Sequence, residues 1–188
     1  MCLDSARETP GEPGLGTAPP HGHAGDAPDE PGVAPAEFRR ALARHAAGTV
    51  VVTGPGPLGF TATSFTAVSL HPPLVSFCVG LDSASWPKLR EAGHFAVNLL
   101  AEHQRNVAER FAARNVDRFG PPTRWSEGPY GLPVLDGATA HLVCRRYVES
   151  ALGDHMLVVG LLVATTLLPD KLPLLYHEGR FGGFNAQL

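Results

Sequence analysis

Thr49-Val50-Val51-Val52-Thr53 is β-branched throughout, and Gly54-Pro55-Gly56-Pro57 follows it at once. β-Branched side chains fit a pleated strand and the Gly/Pro run reverses the chain, so the segment predicts a hairpin. Its second arm, Gly59-Phe-Thr-Ala-Thr-Ser-Phe-Thr-Ala-Val-Ser69, is extended and small, with hydroxyls interleaved. His71-Pro72-Pro73 interrupts it, and Leu74-Val-Ser-Phe-Cys-Val79 reads as a third strand in succession. The connections are shorter than the roughly twelve residues a parallel crossover needs, so the strands are expected to run antiparallel.

Downstream, the pattern predicts a short helix over Trp86–Ala92 and a strand over Phe95–Leu100. A helix from Glu102 to Ala113 follows, with Val107 and Phe111 one turn apart, and strands are expected over Ala138–Ser150 and His155–Leu167. Upstream, Pro35 suits a first helical turn, Phe38, Leu42 and His45 recur at helical spacing, and Gly48 supplies a stop. An amphipathic helix is thus expected to enter the domain. Successive strands with a few peripheral helices suit a closed or nearly closed barrel better than a doubly wound sheet. No internal repeat is present.

The chain has 188 residues and a formal charge of −3, which suits one domain and gives no electrostatic reason to expect nucleic acid. Residues 1–36 alone carry seven prolines, six glycines and six acids against Arg7. Residues 1–34 have too few large apolar side chains to offset the entropy of ordering, so they are expected to be a disordered acidic tail before a domain over 35–188. Nothing near Met1 has the basic start and apolar run of a signal peptide. The longest apolar run, Met156 to Leu168, falls short of the roughly 20 residues a membrane helix needs. Cys2, Cys78 and Cys144 form no close pair, which suits a reducing cytoplasm, with Cys78 and Cys144 expected as small core residues.

The phosphate-loop, zinc-protease, nucleophile-elbow and dinucleotide-fold signatures are all missing from the chain. The nine histidines lack a ligand pair at helical spacing, so no metal site is expected. Thr61-Ala62-Thr63-Ser64 combines small side chains, which let a flat ligand approach the backbone, with hydroxyls that can bond a polar ring edge. The same residues also suit an ordinary edge strand. Ser83, Ser85, Trp86 and Lys88 put two hydroxyls and a cation around a helix start, a chemistry suited to phosphate and equally to a simple cap. His155, after Gly153-Asp154, sits at a loop-to-strand junction where it can present its ring to a ligand or be satisfied locally. Asn98, among apolar neighbours, needs a partner that is either backbone or ligand.

The order of Phe38-Arg39, Ala47-Gly48-Thr49-Val50, Gly59 to Phe65, Val68 to Val75, Ser83-Ala-Ser-Trp86, Phe95 to Leu99, Phe111-Ala112, Gly153-Asp-His155 and Pro173 to Tyr176 resembles the flavin reductase family. These are small reductase components of two-component flavin monooxygenases with an FMN-binding split-barrel fold. The resemblance implies a six-stranded antiparallel split barrel of Greek-key type that pairs as a homodimer. It implies a flavin ring, of FMN or FAD, against Thr61, Ala62, Thr63 and Ser64, and a phosphate end near Ser83, Ser85 and Lys88. His155 would be the catalytic residue, near the nicotinamide of NADH or NADPH, with Tyr176 flanking the same pocket, and Trp86 and Asn98, in the matched motifs, would help bind the cofactor. The implied activity is hydride transfer from NAD(P)H to flavin, with reduced flavin passing to a partner monooxygenase. The cofactor does that chemistry, which agrees with the missing nucleophile motifs. Two other outcomes of the same fold are a non-catalytic flavin- or haem-binding barrel and a related ferric reductase or oxidase.

Overall fold

Residues 31–168 and 171–185 are described by a computed structural model; the expected tail falls mostly outside them. In chain order the elements are α1 (Pro35–Leu42), β1 (Ala47–Gly48), β2 (Val50–Gly54), β3 (Leu58–Ala62), β4 (Thr66–Ser69), β5 (Leu74–Gly80), α2 (Trp86–Glu91) and β6 (His94–Leu99). A 3-10 turn, Glu102–Gln104, leads into α3 (Arg105–Ala112). Then come β7 (Trp125–Glu127), β8 (Pro133–Leu135), β9 (Ala140–Leu152), β10 (His155–Leu167), β11 (Leu175–His177) and β12 (Arg180–Gly182).

The fold is mainly β. The principal sheet has seven strands in the order β3-β2-β6-β9-β10-β5-β4, every pairing antiparallel. The sheet thus has seven strands where six were expected, and no hydrogen-bonded ladder joins the two ends of the order. β3, at one end, nevertheless approaches β5, next to the other end, closely enough that the rings of Phe60 and Phe77 stand 5.9 Å apart.

The valine run of β2 is buried throughout because the strand is covered on both faces. Val50 and Val52 join the inner core of Phe60, Phe77, Phe95, Cys144 and Val158. Val51, pointing the other way, meets Leu100, Phe111, Leu135 and Leu174. Two glycines set how closely the layers approach. A Cβ on Gly160 of β10 would lie 2.5 Å from the Phe95 ring, and one on Gly59 of β3 would lie 2.9 Å from the Phe111 ring. Gly59 therefore lets α3 seat directly on β3, and α3 borders two of the hollows described below.

Several expectations need correction. The helix expected from Pro35 forms but stops at Leu42, short of His45, and has no buried residue; Phe38 and Leu42 stay exposed. The long second arm of the hairpin is two strands separated at residues 63–65, where the chain leaves the edge of β2 for that of β5. Cys144 is buried as expected, but Cys78 is only half-buried, at the edge of β5. The β7–β8 pair and the β11–β12 hairpin carry no signal in the sequence analysis.

Candidate functional site

Where β3 ends, Ala62, Thr63 and Ser64 cross to β5 and form the lip of three adjoining hollows. The largest assembly of expected residues lines one of about 780 Å³: Thr61, Ala62, Thr63, Ser64, Ser83, Ser85 and His155. Its volume lies in the range of ordinary small-molecule sites. Thr61 and Thr63 also border a second hollow of about 850 Å³, beneath α3 and the β11–β12 hairpin. Thr63 and Ser64 border a third, of about 790 Å³, against α1.

The strand side of the main hollow is held by backbone geometry. β4 pairs with β5 only as far as Ser76, and beyond that point the Ser64 side chain takes the ladder's place. Ser64 Oγ accepts from the Cys78 N–H at 2.8 Å and donates to the Cys78 carbonyl at 3.3 Å. Thr61 Oγ1 donates to the Ala108 carbonyl of α3 at 2.6 Å, so only its lone pairs remain for a ligand donor. Ala62 is small and buried, which keeps the backbone of β3 within reach of a flat ring.

The opposite side is the irregular segment after α3, including Arg114, Asn115, Val116 and Arg118. Asn115 takes the left-handed conformation, φ 58°, which a short polar residue tolerates and which turns the chain back after the helix. Arg118 then fastens the segment. Its Nη1 donates to the Gly59 carbonyl at 2.8 Å and to Ser85 Oγ at 3.2 Å, and its Nη2 donates to the Ala113 carbonyl at 2.7 Å. Burial pulls the guanidinium below its ordinary pKa range, yet these acceptors keep it a cation in the wall. Because Ser85 Oγ accepts from Arg118, its own hydrogen is free to donate to an anion. Sequence analysis missed Arg118 because it lies outside any periodic segment; Asp117-Arg118-Phe119-Gly120 looks like plain loop. Arg114 is paired with Asp82 at 3.0 Å, so that exposed pair adds little net charge to the mouth.

His155 reaches the hollow because β10 pairs with the end of β5, His155 opposite Gly80. Its Nδ1 lies 2.7 Å from Asp154 Oδ1. In the neutral ring a carboxylate partner fixes the hydrogen on Nδ1 and leaves Nε2 as the free acceptor. The hydrogen bond and charge of His155 hold the exposed Asp154 carboxyl below its ordinary range.

Not every expected residue is there. Trp86 is buried against the inner core, so it packs the start of α2 and does not line the hollow. Asn98 is fully buried: its Nδ2 donates to the Val51 carbonyl at 3.1 Å and to Thr53 Oγ1 at 3.3 Å, and its Oδ1 accepts from the Leu135 N–H at 2.8 Å. Its partners are protein groups, which settles the alternative left open by the sequence in favour of a core tie. Lys88 borders a smaller adjoining hollow of about 240 Å³ with Ser85 and Arg118. Tyr176 lines the second and third hollows. Among the described residues no cluster of three or more His, Cys, Asp or Glu is placed to hold a metal ion.

The flavin reductase like domain model matches residues 42–185. The chain belongs to this family. It is 42% identical over 157 residues to an NADH:FMN oxidoreductase of Rhodococcus qingshengii, covering 80% of this chain and 82% of the relative. It is 36% identical over 152 residues to the reductase subunit HsaB of a flavin-dependent monooxygenase from Rhodococcus jostii, covering 79% and 77%. Among solved structures, the NADH:FAD oxidoreductase SgcE6 of Streptomyces globisporus C-1027, in complex with NAD and FAD fragments, superposes with a TM-score of 0.76 at 38% identity. That match covers 80% of this chain and 92% of the other. The matched range begins at the last residue of α1 and takes in the whole lining of the first two hollows, while the third also draws on Phe38 and Arg39 before it.

Proposed function

We propose that this chain is an NADH-dependent flavin reductase that supplies reduced FMN or FAD to a partner monooxygenase. The observation that carries the proposal is convergence: residues 61–64, 83–85 and 155, far apart in the chain, line one hollow. Its chemistry fits a flavin. Ala62 and the Thr61 and Ser64 hydroxyls suit the ring, while Ser85, with its free hydrogen, Ser83 and the nearby Lys88 suit a phosphate end. The flavin supplies a ring that accepts hydride from a nicotinamide. The protein's own tasks are to hold the two rings together and keep water from between them. His155, through Nε2, is proposed to orient the nicotinamide; no side chain is needed to remove a proton for hydride to move.

The finer fold reading belongs here too. The six strands β3, β2, β6, β9, β10 and β5 are proposed to form the split barrel proper, with β4 as an added edge, and the Phe60–Phe77 contact across the seam supports it. Homodimer formation is proposed on the exposed apolar residues Val148, Leu152, Val163 and Leu167 of the long β9–β10 hairpin. No helix among the described residues is long and apolar enough to cross a membrane. A cytoplasmic location is the reading consistent with a reducing, nicotinamide-supplied compartment.

Mixing the purified protein with NADH and FMN should deplete the nicotinamide absorbance catalytically. Failure to oxidise NADH or NADPH with either FMN or FAD would refute the proposal and leave a non-catalytic flavin-binding barrel.

A further inference from the structure

Trp125 lines none of the hollows described above, yet it is tied to the wall of the main one. Its Nε1 donates to the Phe119 carbonyl at 3.1 Å, and the two rings meet edge to face with centroids 5.5 Å apart. Phe119 follows Arg118 in the chain and borders the small hollow of Ser85 and Lys88. Its ring packs in turn on the buried Phe111 of α3, centroids 5.1 Å apart. On the other side of Arg118, Arg110 Nε donates to the Asp117 carbonyl at 2.9 Å, and Asp117 Oδ1 accepts from the Phe119 and Gly120 N–H groups at 3.1 and 3.0 Å. Those bonds close an exposed local turn; the bond from Trp125 connects that turn to the core. Trp125 lies on β7 opposite Leu135 of β8. β8 is fastened to the principal sheet, because Thr53 Oγ1 donates to the Pro133 carbonyl at 2.6 Å and the Leu135 N–H donates to Asn98 Oδ1 at 2.8 Å.

We infer that Trp125 is a positioning residue for the phosphate end of the flavin, acting through Phe119 and Arg118. The inference rests on the flavin reductase reading and adds to it a residue, outside the hollow, that sets how tightly the charged end is held. The physical reason is geometric. Arg118 reaches Ser85 Oγ at 3.2 Å, and a bond of that length weakens steeply with small displacements. The guanidinium stands on irregular chain, so its place is set by whatever fixes the neighbouring backbone. Removing the indole N–H takes a partner from the Phe119 carbonyl and lets residues 118–119 settle away from Ser85. The flavin ring is placed on the opposite wall, at Thr61, Ala62 and Ser64, so its share of the binding does not pass through Trp125.

The test measures, by calorimetry, the Kd for FMN and for riboflavin, which has the same ring and ribityl chain without the phosphate. The proteins compared are wild type, Trp125→Phe, Arg118→Ala and the double variant. Trp125→Phe keeps an aromatic ring against Phe119 and removes the N–H donor. It should raise the FMN Kd about fivefold, the size of one lost neutral hydrogen bond, and leave the riboflavin Kd within about twofold. In the Arg118→Ala background the same substitution should change the FMN Kd by less than about twofold, because the group it positions is gone. Equal losses for FMN and riboflavin, no loss for FMN, or a full loss persisting in the Arg118→Ala background would each overturn the inference. So would a wild type that binds FMN no tighter than riboflavin, since there would be no phosphate contact to position, while NADH oxidation would leave the reductase reading intact. A wild type that oxidises neither NADH nor NADPH with FMN or FAD would instead overturn the reductase reading, and this inference with it.

Discussion

β3 and β5 reach the main hollow as strands of a seven-stranded sheet, each residue carried by ladder hydrogen bonds on at least one side. Residues 113–118 reach the same hollow as irregular chain, and one side chain, Arg118, ties them to β3 and to the start of α2. The first wall is set by many weak constraints that survive the loss of any one. The second depends on a charged donor with three acceptors, whose removal takes that partner from the carbonyls of buried Gly59 and half-buried Ala113. A site built this way keeps a fixed floor for a flat ring and a wall whose placement a single mutation can release.

The sharpest way to break that contrast is Arg118→Ala. It should cost about 2–3 kcal/mol of stability, the worth of charge-assisted hydrogen bonds in a part-buried setting. It should also weaken flavin binding, since Ser85 loses the donor that orients it. Urea unfolding and fluorescence titration with FMN measure both; a variant indistinguishable from wild type would show that the loop has other anchors. Next comes His155→Ala, which acts on neither wall but on the mouth. It should lower kcat/KM for NADH about ten- to a hundredfold, corresponding to roughly 1.4–2.8 kcal/mol of lost transition-state binding, with little change in flavin affinity. Stopped-flow reduction at wild-type rates across all NADH concentrations would remove the residue from the site.

Ala62→Leu tests the floor. Its bulk should raise the flavin Kd by about tenfold, near 1.4 kcal/mol, and should also lower the melting temperature, because Ala62 packs in the inner core and overpacking there costs about 1–3 kcal/mol. Unchanged affinity would move the ring off β3. The smallest effect is expected from Ser64→Ala, which removes one side-chain bridge to β5 where the surface is exposed. It should cost under about 1 kcal/mol in thermal unfolding. A loss as large as that of Arg118→Ala would mean that the two walls are built alike.

Much of the first wall was legible in the sequence. Val50–Thr53, the Gly54–Pro57 turn and Leu74–Val79 declare themselves by side-chain type, and His155–Leu167 forms a strand with the bounds expected. The second wall was not legible. Asn115 and Arg118 sit in a stretch without periodicity, and the bonds that give Arg118 its role span up to 59 residues. The C-terminal hairpin escaped for a different reason. Its turn, Glu178-Gly179, puts both residues at positive φ, 48° and 77°, but lacks the Asn-Gly or Asp-Gly pair that usually marks such a turn.

By itself the sequence determined the antiparallel strands, the hairpin, the hydroxyl-rich run at residues 61–64 and the position of His155 at a strand start. Those features depend on the sterics and hydrogen bonding of near neighbours. The tertiary structure decided which polar residues meet a ligand. Asn98 and Trp86 were drawn into the core, while Arg118 was brought to the wall of the main hollow. That sorting depends on ladder register and on the curl that sets β3 against β5. Both arise from contacts between distant segments, which no local pattern of side chains encodes.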